Sequence, residues 1–236
     1  MSVPYDGQAA PPSAGGPFAA GRVGKTAAVR VWINAISGLL LPVSTWITYF
    51  SFKDDLQSFD PDGYPPFELV ALLIAGITGI AAAVAYIAWL RRVRGNAERF
   101  CKAPHRRRRG WLIWGWICPV VNLWFPKQIV DDIVAASTPT TDPQAAELPR
   151  LRTAVVQTWW ITWVASNLIT VLDPGNLAGQ LSAGDLLRTA ILTTLSGALT
   201  VVCAVYAVRV IRLIDNLQAS RPSVAWWEIT VNEGTS

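Results

Sequence analysis

Charge, histidine and cysteine are all scarce in this chain. Only 15% of its 236 residues are charged, against 52% hydrophobic, where water-soluble domains usually carry roughly 25% charge. A composition of that kind argues against both a disordered chain and an ordinary soluble enzyme. His105 is the only histidine, which excludes a bis-histidine haem site or a three-histidine metal centre within one chain. Cys101, Cys118 and Cys203 are too far apart for a local metal motif and cannot all pair together, so no disulfide scaffold is indicated. A glycine-rich phosphate cradle, a dinucleotide fingerprint and a Ser/His/Asp or Cys/His nucleophilic arrangement are also missing. Neither a cofactor nor a metal is expected.

Long apolar runs are what the chain has in quantity, and they predict an all-α integral membrane protein. Residues 29–50 and 69–90 would each make about 33 Å of helix, enough for a typical hydrocarbon core. Residues 154–172 and 186–214 give a third and a fourth span. Residues 1–28 read as a disordered cytoplasmic tail and not as a signal peptide, and 219–236 as a second tail; a single membrane domain fills 29–218. No Asp, Glu, Lys or Arg lies centrally in any span, so a proton-coupled pump lacks its usual buried charge. Polar residues in the first span (Asn34, Ser37, Ser44, Thr45, Thr48) and in the third (Gln157, Asn167) should turn into the bundle, and Gly76 and Gly79 should allow close helix packing.

Residues 110–137 break this pattern. The apolar piece from Trp111 to Cys118 is too short to cross, and Pro119, Asn122 and Pro126 then interrupt it. A broken or re-entrant helical hairpin, with Pro119 and Pro126 fixing its geometry and Gly115 permitting close approach, fits better than a straight crossing. Charge placement agrees. With four crossings, 18 of the 20 Lys and Arg residues, all except Lys53 and Arg188, share one face with both termini. Asp54, Asp55, Asp60, Asp62, Asp173 and Asp185 lie opposite. The positive-inside rule makes the basic face cytoplasmic, and the predicted location is the plasma membrane.

The run RFCKAPHRRRRGWLIWGWICPVVNLWFPKQIVDDIVAAS at 99–137 also carries a resemblance. With RRVRGNAERF at 91–100 and GWICPVVNLWFPKQIVDDI at 115–133, it resembles an actinobacterial family of small multi-pass membrane proteins known only as a domain of unknown function, DUF4328. The likeness covers about residues 30–218. It implies a multi-pass fold and brings no activity with it.

Candidate site residues cluster in and around that run. Trp111, Trp114, Trp124 and Trp160 suit a membrane interface or the wall of an aromatic pocket. Asn122 can satisfy backbone groups freed by the break or contact a ligand, and Asn167 adds a polar group within a span. Arg91, Arg92, Arg106 and Arg109 belong to a basic block that should attract anionic phospholipids; no recognition fold supports specific nucleic-acid binding. Asp131 and Asp132 can latch onto that block as ion pairs, or serve with His105 as proton-transfer groups. The leading expectation is a non-catalytic membrane-embedded binding or assembly module with a basic surface for anionic lipid, a membrane-protein partner or a second copy. The alternatives are a small enzyme acting on a lipid-like substrate and a channel or transporter subunit.

Overall fold

The computed structural model describes residues 21–55, 66–100, 105–138, 148–171 and 182–220, without the side chains of 148–150. Of the tails predicted at 1–28 and 219–236, residues 1–20 and 221–236 fall outside the described residues, as do Cys101 and the loop carboxylates Asp60, Asp62 and Asp173. Every element described is helical: α1 (Gly21–Gly38), α2 (Leu40–Phe52), α3 (Pro66–Phe100), α4 (Trp111–Ile117), a 3-10 turn (Val121–Leu123), α5 (Phe125–Ser137), α6 (Leu148–Val171) and α7 (Ala183–Ala219).

The apolar run at 29–50 is two helices, not one. Pro42 has no N–H to return to the Gly38 carbonyl, and the next bond, from Val43 N to Leu39 O, is stretched to 3.4 Å. Helix α1 also starts at Gly21, inside the segment read from sequence as a tail. It can do so because Arg22, Lys25 and Arg30 lie on its exposed side while Gly24, Ala27 and Ala35 are buried. Helix α7 begins on a capping box, in which Ser182 and Asp185 each accept from the other's backbone N–H, satisfying two of the free donors at the helix start.

The rods alternate in direction. Ser37 meets Thr78 at 2.7 Å and Thr48 donates to Glu68 at 3.2 Å, so α1 and α2 run antiparallel to α3. Thr45 meets Thr193 at 2.8 Å, and Ser196 donates to the Ser166 carbonyl at 3.1 Å. The polar track of the first rod therefore does face into the bundle, as its spacing predicts. Gly79 does too: a Cβ there would sit 3.3 Å from Asn34 Oδ1, whereas Gly76 faces open space. Antiparallel packing gathers the start of α1, the end of α3, the start of α6 and the end of α7 at one end. That end also holds most of the arginines, and it is called the basic end below.

Among the described residues, three segments are long and apolar enough to cross a membrane: Gly21–Phe52, Pro66–Phe100 and Ala183–Ala219. Helix α6, the remaining span expected from sequence, falls short of that apolarity; Gln157, Asn167 and its tryptophans dilute the aliphatic content. Ile77 and Ile80 on α3 are 68% and 69% exposed, and Val84, Leu73 and Val43 are exposed with them. So broad an apolar surface belongs against lipid, and not in water.

At 35 and 37 residues, α3 and α7 are each over 50 Å long at about 1.5 Å per residue. About 20 Å of each therefore projects beyond a hydrocarbon core of roughly 30 Å. The most deeply buried side chains gather toward the basic end. Trp89, Leu90 and Val93 of α3, Val210, Ile211 and Ile214 of α7, and Ile129, Val130 and Ile133 of α5 are almost wholly buried. Helix α5 is amphipathic and lays that apolar face across the two longer helices.

Candidate functional site

Two features stand out: a folded basic strap and a cavity within the bundle. The strap begins where α4 ends the interrupted segment. Cys118 is extended at φ −77° and ψ 115°, the conformation imposed on a residue preceding proline, so Pro119 stops α4 after seven residues. A 3-10 turn follows, and Pro126 sits in the first turn of α5, where its missing N–H costs nothing. Trp160 Nε1 donates to the Leu123 carbonyl at 3.2 Å, pinning the turn to α6. A Cβ on buried Gly115 would touch Phe125 Cβ at an ordinary 3.5 Å, so that approach does not demand glycine.

Two arginines of the block, Arg106 and Arg107, reach onto α5. Arg106 binds Asp132 through Nε at 2.7 Å and through its backbone N–H at 3.0 Å. Arg107 donates twice to Gln128 Oε1, at 3.0 and 2.8 Å, and stacks 3.7 Å over the Phe125 ring. Arg109 pairs with Glu98, which also holds Arg94 Nε at 2.8 Å. Asp131 pairs within its own helix, with Lys127 at 2.7 Å. Both candidate carboxylates thus hold cations, and only Asp132 holds one from the arginine block. Arg91, Arg92 and Arg108 are exposed and make no ion pair among the described residues.

His105 is half-buried between Arg94, Asp132 and Glu98, and its Nε2 has no partner among the described residues. Burial and the Arg94 charge push its pKa below the ordinary 6.5, outweighing the pull of Asp132 and Glu98. The folded chain therefore binds the His105 proton less readily than the unfolded chain. Stability from this group is complete above pH 6.5 and is lost as the pH falls below it. Thermal midpoints should drop as the pH falls below 6.5, and the drop should flatten in His105→Gln. A slope unaltered by that substitution would assign it to other groups.

The cavity, of about 530 Å³, lies between α1, α3, α6 and α7 and is closed on one side by α4. Its aromatic end is formed by Tyr86, Trp116, Trp159 and Trp163. Trp116 meets Tyr86 at 5.8 Å and Trp163 at 5.6 Å, both edge-on. Asn34, Ser166, Asn167 and Thr200 line the other side. Among these, Ser166, Asn167 and Thr200 already donate to carbonyls on or near their own turns. The Tyr86 hydroxyl and Trp116 Nε1 are buried without a partner among the described residues.

Most candidates from sequence lie elsewhere. Trp114 and Trp124 are exposed, Trp111 packs edge-on against Phe125 at 4.7 Å, and Trp160 is buried in the core. Asn122 Oδ1 is buried without a partner among the described residues, and Asn122 is not part of the cavity lining. Of the residues singled out as ligand contacts only Asn167 lines it. Trp163 was visible on the same α6 face, but nothing local in sequence marks Tyr86, which sits among alanines.

Together, the helical rods, the lipid-type surface and the apolar spans define a multi-pass helical membrane protein. Residues 66–216 match the family model described as a domain of unknown function, DUF4328, and the chain belongs to that family. No curated protein and no solved structure matches the chain.

Proposed function

We propose that the protein is a non-catalytic, membrane-embedded binding and assembly module whose basic end faces the cytoplasm and engages anionic phospholipid headgroups. On this reading four rods cross the plasma membrane, α6 being the fourth, and both termini are cytoplasmic. The α4–α5 hairpin is re-entrant: its seven-residue first arm reaches about 10 Å into the inner leaflet.

One observation carries the reading. The hairpin exposes an apolar ridge of Trp114, Ile117, Val120 and Leu123, and Arg108, just before it, has no ion-pair partner among the described residues; Arg91 and Arg92 at the basic end have none either. A ridge of that kind suits the acyl region, and arginines at the headgroup level gain about 1 kcal/mol each from anionic lipid. The other arginines of the block hold α3, the strap and α5 together, so they shape the surface more than they bind through it. A second copy or a membrane-protein partner would meet the same face.

The test is lipid enrichment around the protein in nanodiscs of mixed phosphatidylglycerol and phosphatidylcholine, read by mass spectrometry of the retained lipids. Wild type should retain phosphatidylglycerol preferentially, and salt should weaken the preference. The combined Arg91→Gln, Arg92→Gln and Arg108→Gln substitutions should lower the preference by up to about a hundredfold. An unchanged preference would reject the lipid surface.

A further inference from the structure

The cavity holds an unusual pair of groups. Tyr86 O–H and Trp116 Nε1–H are both buried, both unpartnered among the described residues, and carried on rings 5.8 Å apart that line the same space. A buried donor left unpaired is unfavourable, and native structures seldom keep two side by side. Indole can only donate and tyrosine donates readily, so both call for an accepting oxygen.

We infer that this cavity is a binding site for an uncharged single-chain lipid, with an ester carbonyl accepting from Tyr86 and Trp116. Its charge follows from the walls: no Lys, Arg, Asp, Glu or His lines the cavity, and an ion there would lose its hydration without a counter-charge. Its oxygen follows from the two donors, each of which needs an acceptor. Its size follows from the volume. The space of about 530 Å³ lies within the roughly 300–1,000 Å³ usual for sites that take one small molecule, which suits one single-chain lipid. Trp159 and Trp163 add apolar contact along the lining. Asn34 and Asn167 bound the far side, where a glycerol hydroxyl finds amide oxygens.

The same carbonyl chemistry has two sources, a free monoacylglycerol or one chain of a bilayer phospholipid turned inward. Native mass spectrometry of the intact protein in neutral detergent, titrated with monooleoylglycerol, reads binding directly. One equivalent should bind, and Tyr86→Phe and Trp116→Phe should each weaken it about tenfold, the loss of one hydrogen bond. Both substitutions keep a ring in place; Tyr206→Phe, which alters a tyrosine outside the cavity, should change nothing. Repeating the titration in dioleoylphosphatidylcholine nanodiscs separates the sources. Persistent binding identifies the free lipid as the occupant. Competition by the bilayer, relieved in the Phe variants, identifies the phospholipid chain and keeps the site. Binding that ignores both Phe substitutions, no binding in detergent, or tighter binding of oleate than of monooleoylglycerol would overturn the inference. The arginine substitutions above should leave this binding unaltered, so the site and the headgroup surface stand or fall separately.

Discussion

Trp89→Ala should lower the unfolding free energy by about 3–5 kcal/mol, as for other buried aromatics truncated to alanine. Trp89 is 0% exposed, packs against the Tyr86 ring at 5.2 Å, and donates Nε1 to Asp215 Oδ1 at 2.9 Å. The substitution opens a hole where α3 meets α7 and removes the hydrogen bond that holds the Asp215 carboxylate. That carboxylate has little freedom to move, because a Cβ on Gly24 would lie only 2.0 Å from its Oδ2. For a chain of this size each kcal/mol shifts the melting midpoint by about 2–4 °C, so circular dichroism in detergent should show a fall on the order of 10 °C. Trp89→Phe separates the two contributions: most of the volume stays and only the donor goes, so its cost should be about 1–3 kcal/mol. Equal effects of the two substitutions would put the stabilisation in the hydrogen bond alone.

Gln218→Leu is the second large effect. The Gln218 side chain is 1% exposed; it accepts from Asn96 Nδ2 at 2.9 Å and donates to the Val93 carbonyl at 2.9 Å and to Ser137 Oγ at 3.1 Å. One carboxamide therefore ties the ends of α3, α5 and α7 together. Leucine nearly preserves the volume and breaks all three bonds in a site closed to water, which should cost about 2–4 kcal/mol. Because Ser137 ends α5, hydrogen exchange should quicken through α5 before it does so in the lipid-facing part of α3. If melting and α5 exchange both stay at wild-type values, the network adds nothing to stability.

The reach of sequence reading follows from how local each signal is. Proline makes its mark on its immediate neighbours, so the interruption at Pro119 and Pro126 could be read directly, and the serines and threonines of the first rod revealed its inward face by spacing alone. The break near Gly38 was overlooked because Pro42 lies inside an uninterrupted apolar run, where composition outweighs one missing donor. The early start of α1 is hidden by Arg22 and Lys25, which look like a tail until their common exposed side is known. Asp131 had an intrahelical partner in reach at Lys127, four residues earlier, while the Arg106–Asp132 pair spans 26 residues. Of the cavity, Asn167 alone among the predicted ligand contacts could be read from the sequence. Tyr86, Trp116 and Trp163 come from three helices, and only tertiary packing brings them together.

The seat of Gly24 over Asp215 has a consequence for the chain's connectivity. Residues near the beginning and the end of the described bundle touch, so whatever precedes Gly21 and whatever follows Ser220 leave from the same corner. A short linker could join them there, and new ends opened between α6 and α7 would turn the molecule into a circular permutant with every rod kept in its place. The point at which the chain enters this bundle is therefore not dictated by the packing of its rods.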